Sequence, residues 1–206
     1  METIKKMMAA ALIAVSSLVP VYGQNVKEQE AFYNSYTLEY KGEYLKAAEA
    51  LKKGYDEKSY EINIRSGWVN YEAALYTESQ KFYQKAIDLQ PNSIEAKLGY
   101  IYPAAALGNK NQVTAQYIDI LKIDPQNSSA NYQLGLIYYY KKDNKAAFKY
   151  FEKVVSLYPF GYDALLMFAW TNFQLGRTIE ATDLFNKVLL LAPSDKSALE
   201  GLSLIK

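Results

Sequence analysis

Four prolines stand 34 residues apart in this chain, at Pro91, Pro125, Pro159 and Pro193, and no other feature restricts its fold as strongly. The same step runs through unrelated residue types. Ala96, Ala130, Ala164 and Ala198 follow each proline by five positions, and Tyr83, Tyr117, Phe151 and Phe185 precede it by eight. Independent columns that share one period mark a tandem array. Each unit of such an array exposes an apolar face until a neighbour covers it, so a quasi-one-dimensional stack closed by caps is expected. The composition suits this: half of the 206 residues are hydrophobic and 22% are charged, which is globular and sufficient for one domain or one short array.

The stretch 128–161, with Leu134-Gly135, Tyr138, Ala147, Phe151 and Pro159 at the family's spacing, resembles the tetratricopeptide-repeat (TPR) family. Asn131 occupies the usual tryptophan slot. Residues 162–195 repeat the pattern with Phe168-Ala169, Gly176, Ala181, Phe185 and Pro193, and 60–93 with Gly67, Ser79, Tyr83, Ala86 and Pro91. The unit 94–127 keeps Tyr117 and Pro125 but has Ile101 in a normally small slot, so irregular packing is expected there. A first unit, 28–59, is read from Ser35, Gly42, Ala47 and Leu51, which precede Gly67, Ala74, Ser79 and Tyr83 by 32 residues; it lacks the closing proline. Residues 196–206, with Ala198, Leu199, Leu202 and Ile205 at helical spacing, resemble a capping helix.

The resemblance implies an all-α, right-handed superhelix of about five helical hairpins plus that cap. In each hairpin the first helix needs a small residue where its neighbour crosses, supplied by Gly67, Gly135 and Ala169. Tyr83, Phe151 and Phe185 sit one turn beyond Ser79, Ala147 and Ala181, so large and small side chains share a face and interlock. Helices are expected at 27–40, 43–54, 61–73, 77–88, 94–106, 110–122, 128–141, 144–157, 162–174, 178–191 and 196–205. Pro103 is expected to kink the fifth of these or to shorten it toward Ala104.

Residues 1–23 read as an address. Lys5 and Lys6 precede an apolar run from Met7 to Val19, Pro20 breaks it, and Gly23 offers a small residue before Gln24. That order is a secretory signal peptide with cleavage before Gln24, leaving 24–206 as the TPR domain. An uncleaved anchor is the competing reading, disfavoured by the short apolar run and Pro20. The absence of cysteine rules out lipoprotein processing. Export is expected, with the periplasm preferred and extracellular release left open. No later stretch is apolar for long enough to span a bilayer, because Lys141, Lys145, Lys149 and Lys153 interrupt the most apolar region.

The chain has no histidine and no cysteine. Ser-His-Asp triads, imidazole bases, thiolate nucleophiles and Cys-rich zinc sites are therefore impossible. Carboxylate-only catalysis survives this exclusion, but Glu39 and Glu72 read as solvated or rim-facing helix residues, not as a catalytic pair. The charge clusters Asp56-Glu57-Lys58 and Lys141-Lys142-Asp143 fall at hairpin turns. Gly99, Gly108, Gly135 and Gly176 are isolated, so no phosphate loop is present. A formal charge of +1 gives no footprint for nucleic acid. Neither an enzyme nor a bound cofactor or metal is expected.

What exceeds repeat architecture is aromatic. The resemblance implies that first helices line a concave groove, and it assigns to that groove Phe32, Tyr36 and Tyr40; Trp68 and Tyr71; Tyr102; Tyr132, Tyr139 and Tyr140; and Trp170 with Phe173. The column Tyr36, Trp68, Tyr102, Leu136, Trp170 is apolar throughout, where the family usually has variable, often polar residues. Two readings compete for it. Aromatic stripes are usually core, but Leu134, Phe151, Phe168 and Phe185 already fill the core slots, which favours a binding groove. The carboxylate clamp of chaperone-binding TPRs is not reproduced, although Arg65 and Lys97 lie near the groove helices. The expected occupant is an apolar or aromatic segment of a protein or peptide partner. The alternatives are an envelope glycan such as peptidoglycan, stacked on the rings, and a purely structural subunit of an envelope complex.

Overall fold

The computed structural model describes residues 26–205, so the export reading of residues 1–23 lies outside the described residues. Among these residues all regular structure is helical, as expected. The helices are α1 (26–40), α2 (Tyr44–Lys52), α3 (Tyr60–Glu72), α4 (Tyr76–Leu89), α5 (Ile94–Ala106), α6 (Lys110–Ile123), α7 (Ser128–Tyr140), α8 (Asn144–Leu157), α9 (Tyr162–Gln174), α10 (Thr178–Leu191) and α11 (Lys196–Leu204). The chain divides into two compact units, one ending at Asn109 and the other starting at Lys110. The first holds α1 to α5 and the second α6 to α11.

The turn inside each hairpin has one recurring geometry. Gly42, Ala74, Gly108, Lys142 and Gly176 all take positive φ, between 59° and 74°. Each places two amides back onto the preceding helix: at the third such turn, Gly108 N–H donates to Ala105 O at 2.9 Å and Asn109 N–H to Ala104 O at 2.8 Å. This is the Schellman arrangement, which satisfies the last carbonyls of a helix and reverses the chain at the cost of one left-handed residue. A side chain in that conformation is disfavoured by about 1–2 kcal/mol. Lys142→Gly is therefore expected to stabilise the second unit by about 0.5–1 kcal/mol, read as a higher urea midpoint, with part of the gain offset by the entropy of glycine in the unfolded chain.

First helices open on a second periodic column. The side chains of Ser59, Ser93, Asn127 and Asp195 accept hydrogen bonds from the amides of Ile62, Ala96, Ala130 and Ala198 at 2.7–3.2 Å. These are N-caps. Asn131, in the usual tryptophan slot, is fully buried, and its Nδ2 donates to the carbonyls of Asn127 and Pro125. It ties the incoming turn to the helix by hydrogen bonds where an indole would do so by packing.

The large and small columns interlock as their spacing requires. A Cβ at Gly135 would lie 2.6 Å from the Phe151 ring, and one at Gly201 would lie 2.3 Å from the Phe185 ring. In the first unit the Tyr83 ring is held from two sides: a Cβ at Gly67 would approach it to 2.8 Å and one at Gly99 to 2.1 Å. Ile101, expected to disturb the third repeat, is itself buried, and Gly99 two residues earlier provides the close approach that α5 needs.

Of the two expectations for Pro103, a kink or a shorter helix, the shortening does not occur: α5 has the span read from the sequence. α5 continues to Ala106, and the final turn is restored by Leu107 N–H donating to Pro103 O at 3.0 Å together with the Schellman amides. The ring removes one amide donor, while the carbonyls of Pro103, Ala104 and Ala105 accept from Leu107, Asn109 and Gly108. The remaining ends follow the sequence reading; the largest departure is at α2, expected to reach 54 and ending at Lys52.

Candidate functional site

Three first helices of the first unit, α1, α3 and α5, enclose a cleft of about 690 Å3. Its walls follow helical spacing. Phe32 and Tyr36 come from α1, Glu61, Ile64, Arg65 and Trp68 from α3, and Glu95, Leu98 and Tyr102 from α5, each set at steps of three and four that share one helix face. Tyr60, Gly99 and the buried Tyr83 complete the lining. Burial pushes the Tyr83 hydroxyl pKa well above its usual value, with the nearby Tyr102, Glu95 and Glu72 adding to the effect, so the ring remains a neutral phenol.

Arg65, in the wall of this cleft, is ion-paired with Glu39, which does not itself line it. Nη2 of Arg65 stands 2.5 Å from Oε2 of Glu39, within ion-pair reach although poorly aligned for a hydrogen bond, and the Arg65 side chain is only 6% exposed. The Tyr36 ring covers the guanidinium, with Cζ 3.8 Å from its centroid. Glu39 also accepts from the Trp68 indole Nε1 at 2.7 Å. Of the solvated and rim-facing readings of its sequence context, full solvation is thus excluded: Glu39 is a partly exposed, structurally paired carboxylate. Partial burial pushes the Glu39 pKa up, but the close contact with the Arg65 guanidinium, the Trp68 hydrogen bond and the Arg65 charge together outweigh it, and the net direction is below the ordinary 4.5.

The expected aromatic residues divide between the two units. In the first, Trp68, Tyr71 and Tyr102 form a chain of rings, with centroids 6.1 Å apart from Trp68 to Tyr71 and 5.5 Å from Tyr71 to Tyr102. Trp68 remains 36% exposed, Tyr36 56% and Tyr102 52%, while Phe32 packs partly against the core formed by Ala47, Leu51, Ile62 and Val69. Tyr40 is almost wholly exposed and does not line the cleft.

In the second unit Trp170 leans on the buried core. Its ring meets Phe185 at 5.1 Å and Phe173 at 5.6 Å, and its Nε1 donates to Ser197 Oγ at 2.8 Å. Tyr132 sits edge-on to Phe151, Tyr139 pairs with Tyr140, and Tyr140 is exposed. The two tryptophans occupy one repeat position in different surroundings. Trp170→Ala is accordingly expected to cost about 2–3 kcal/mol and Trp68→Ala about 1 kcal/mol, read by paired urea melts followed by circular dichroism.

Reasoning from sequence did not single out Tyr60, Glu61, Ile64, Glu95 or Leu98. Their signal was present, because Glu61 and Ile64 precede Trp68 by seven and four residues, and Glu95 and Leu98 precede Tyr102 by the same steps. Lys97, noted as a groove cation, is buried and does not line the cleft. No group of three or more carboxylates gathers into a metal-binding cluster among the described residues, and no described helix is long and apolar enough to cross a membrane.

Residues 60–93 and 128–160 match the family model of the tetratricopeptide repeat. No protein of curated function matches the chain. Among solved structures it is similar to a tetratricopeptide repeat protein from Parabacteroides merdae, at 21% identity over 87% of this chain and 72% of that one, with a TM-score of 0.72. It is similar to MamA from Desulfovibrio magneticus at 19% identity over 82% of this chain and 97% of that one, with a TM-score of 0.67. YrrB, described as a TPR protein with an unusual peptide-binding site, matches at 16% identity over 82% and 88% of the two chains, with a TM-score of 0.65.

Proposed function

The chain is a tetratricopeptide-repeat protein, and from that premise we propose that it is a non-enzymatic protein–protein interaction scaffold that holds a partner segment in the cleft of its first unit. The observation that carries this reading is a cavity of about 690 Å3 into which Trp68 and Tyr102 present rings that the fold leaves partly uncovered. An apolar wall with a few placed polar groups is the usual make-up of a binding site, and tryptophan and tyrosine are the residue types on which binding energy concentrates. The occupant is an apolar or aromatic segment of a partner protein; a peptide-binding site is described for YrrB, which shares the fold.

A photoreactive phenylalanine analogue at Tyr102, expressed in the source cells, tests this. The expected product is a covalent adduct to one segment of another protein, lost when Trp68→Ala is combined with the probe. Adducts that persist in that double variant, or that form equally from a probe at the exposed Ile179 of the second unit, would remove the cleft from consideration. An adduct to glycan would replace the peptide reading.

The site of action is the cell envelope after export. What supports this is the order of Lys5 and Lys6, the apolar run, Pro20 and Gly23 ahead of Gln24. Intact mass of the exported protein is expected to show a chain beginning at Gln24; a product retaining residues 1–23 would make it membrane-anchored.

A further inference from the structure

The cleft carries more acid than the Arg65 ion pair uses. Glu39 is committed to Arg65 and to the Trp68 indole. Glu61 and Glu95 line the cavity, and among the described residues neither has a basic side chain within ion-pair reach. Their hydrogen bonds are with hydroxyls: Ser59 Oγ donates to Glu61 at 3.3 Å and Tyr60 OH to Glu95 at 3.1 Å. Two turns further along the same helices, and lining the same cavity, stand the partly uncovered rings of Trp68 and Tyr102. Anionic oxygens and aromatic faces on one wall both favour a cation.

A second observation concerns Arg65. It lines the cleft, it is more than nine-tenths buried, and its Nε has no hydrogen-bond acceptor. A buried donor left unmatched is costly, and an acceptor brought by an occupant that displaces the covering, half-exposed Tyr36 ring relieves that cost. A free carboxylate would meet repulsion from Glu61 and Glu95. A neutral peptide carbonyl would not.

We infer that the partner segment is a peptide with a lysine or arginine next to an apolar residue. The basic side chain lies between Glu61, Glu95 and the Trp68 and Tyr102 faces, and a backbone carbonyl turns toward Arg65. This deepens the cleft reading proposed above and rests on it.

The probe is a random dodecapeptide library displayed on phage, selected on the full chain and counter-selected on Trp68→Ala. The expected Trp68-dependent peptides carry Lys or Arg beside an aliphatic or aromatic residue. Replacing that basic residue by norleucine in a synthetic copy is expected to weaken binding about tenfold, and Glu61→Gln with Glu95→Gln to weaken it about five- to tenfold, with a melting temperature unchanged from wild type. Added salt is expected to weaken the wild-type complex and to leave the double variant nearly insensitive. Trp68-dependent peptides that lack a basic residue, or that bind the double variant as well as wild type, overturn the charge assignment and leave the cleft in place. Failure to recover any Trp68-dependent peptide overturns the cleft and this inference with it.

Discussion

Phe151→Ala is expected to destabilise the second unit by about 4 kcal/mol, the largest effect of any single substitution considered for this chain. Phe151 is fully buried, packs edge-on against Tyr132, and closes over the bare backbone of Gly135. Removing the ring forfeits its transfer free energy and leaves a hollow that two helices, pinned by caps and turns, cannot collapse into. Denaturation in urea, followed by circular dichroism, measures the loss. The same contact is tested from the other side by Gly135→Ala, whose Cβ would lie 2.6 Å from the ring. Alanine favours the helix by about 1 kcal/mol over glycine, so a net loss from Gly135→Ala means that overpacking wins. Combining Gly135→Ala with Phe151→Leu is expected to cost less than the sum of the two changes, because a smaller side chain makes room for the added methyl. Strict additivity would mean that the two positions do not share the contact.

Glu39→Ala is expected to cost about 3 kcal/mol, out of proportion to the loss of one partly exposed carboxylate. The cost falls on Arg65, which is left as a buried guanidinium without a counter-charge, and on the Trp68 indole, which loses its acceptor. Adding Arg65→Met to Glu39→Ala is expected to recover part of the stability, since an apolar chain of similar length does not need the pair. A double variant as unstable as Glu39→Ala alone would show that the buried charge is not the cause. The pH dependence has a definite sign. The folded pKa of Glu39 is lowered, so its contribution is fully present above the unfolded value near 4.5 and is lost as pH falls below that through the depressed folded value. Wild type is thus expected to lose more stability than Glu39→Gln on acidification through this range, read from melting temperatures taken from pH 6 downward.

These effects show how far a sequence of this kind can be read. The helices and their interlock were legible because they rest on contacts inside one or two repeats. Pro91 and its successors close hairpins, and Gly135 faces Phe151 within a single unit, whereas the capping side chains of Ser93 and Asn127 came from the structure. The shortening considered at Pro103 does not occur. The turn at Gly108 supplies two donors to the carbonyls just beyond it, which a list of residues does not display.

The aromatic column was legible as a column, and there its reading from sequence stopped. Trp68 and Trp170 occupy the same repeat position, yet Trp68 donates to Glu39 on α1, the first helix of the preceding hairpin, whereas Trp170 donates to Ser197 on α11, the helix after its own hairpin. The residue equivalent to Ser197 in the first unit is Glu95, and Tyr60 already binds it. Which way an indole leans is decided by polar partners on two different neighbouring helices, and one of those partners is also claimed by the buried Arg65. By itself the sequence determined the period, the helices and the small-to-large interlock, because each is a matter of spacing along one or two adjacent helices. Only the tertiary structure decided that Tyr36, Trp68 and Tyr102 line a cleft while Trp170 packs on the core, because burial and hydrogen-bond choice depend on three helices meeting at once.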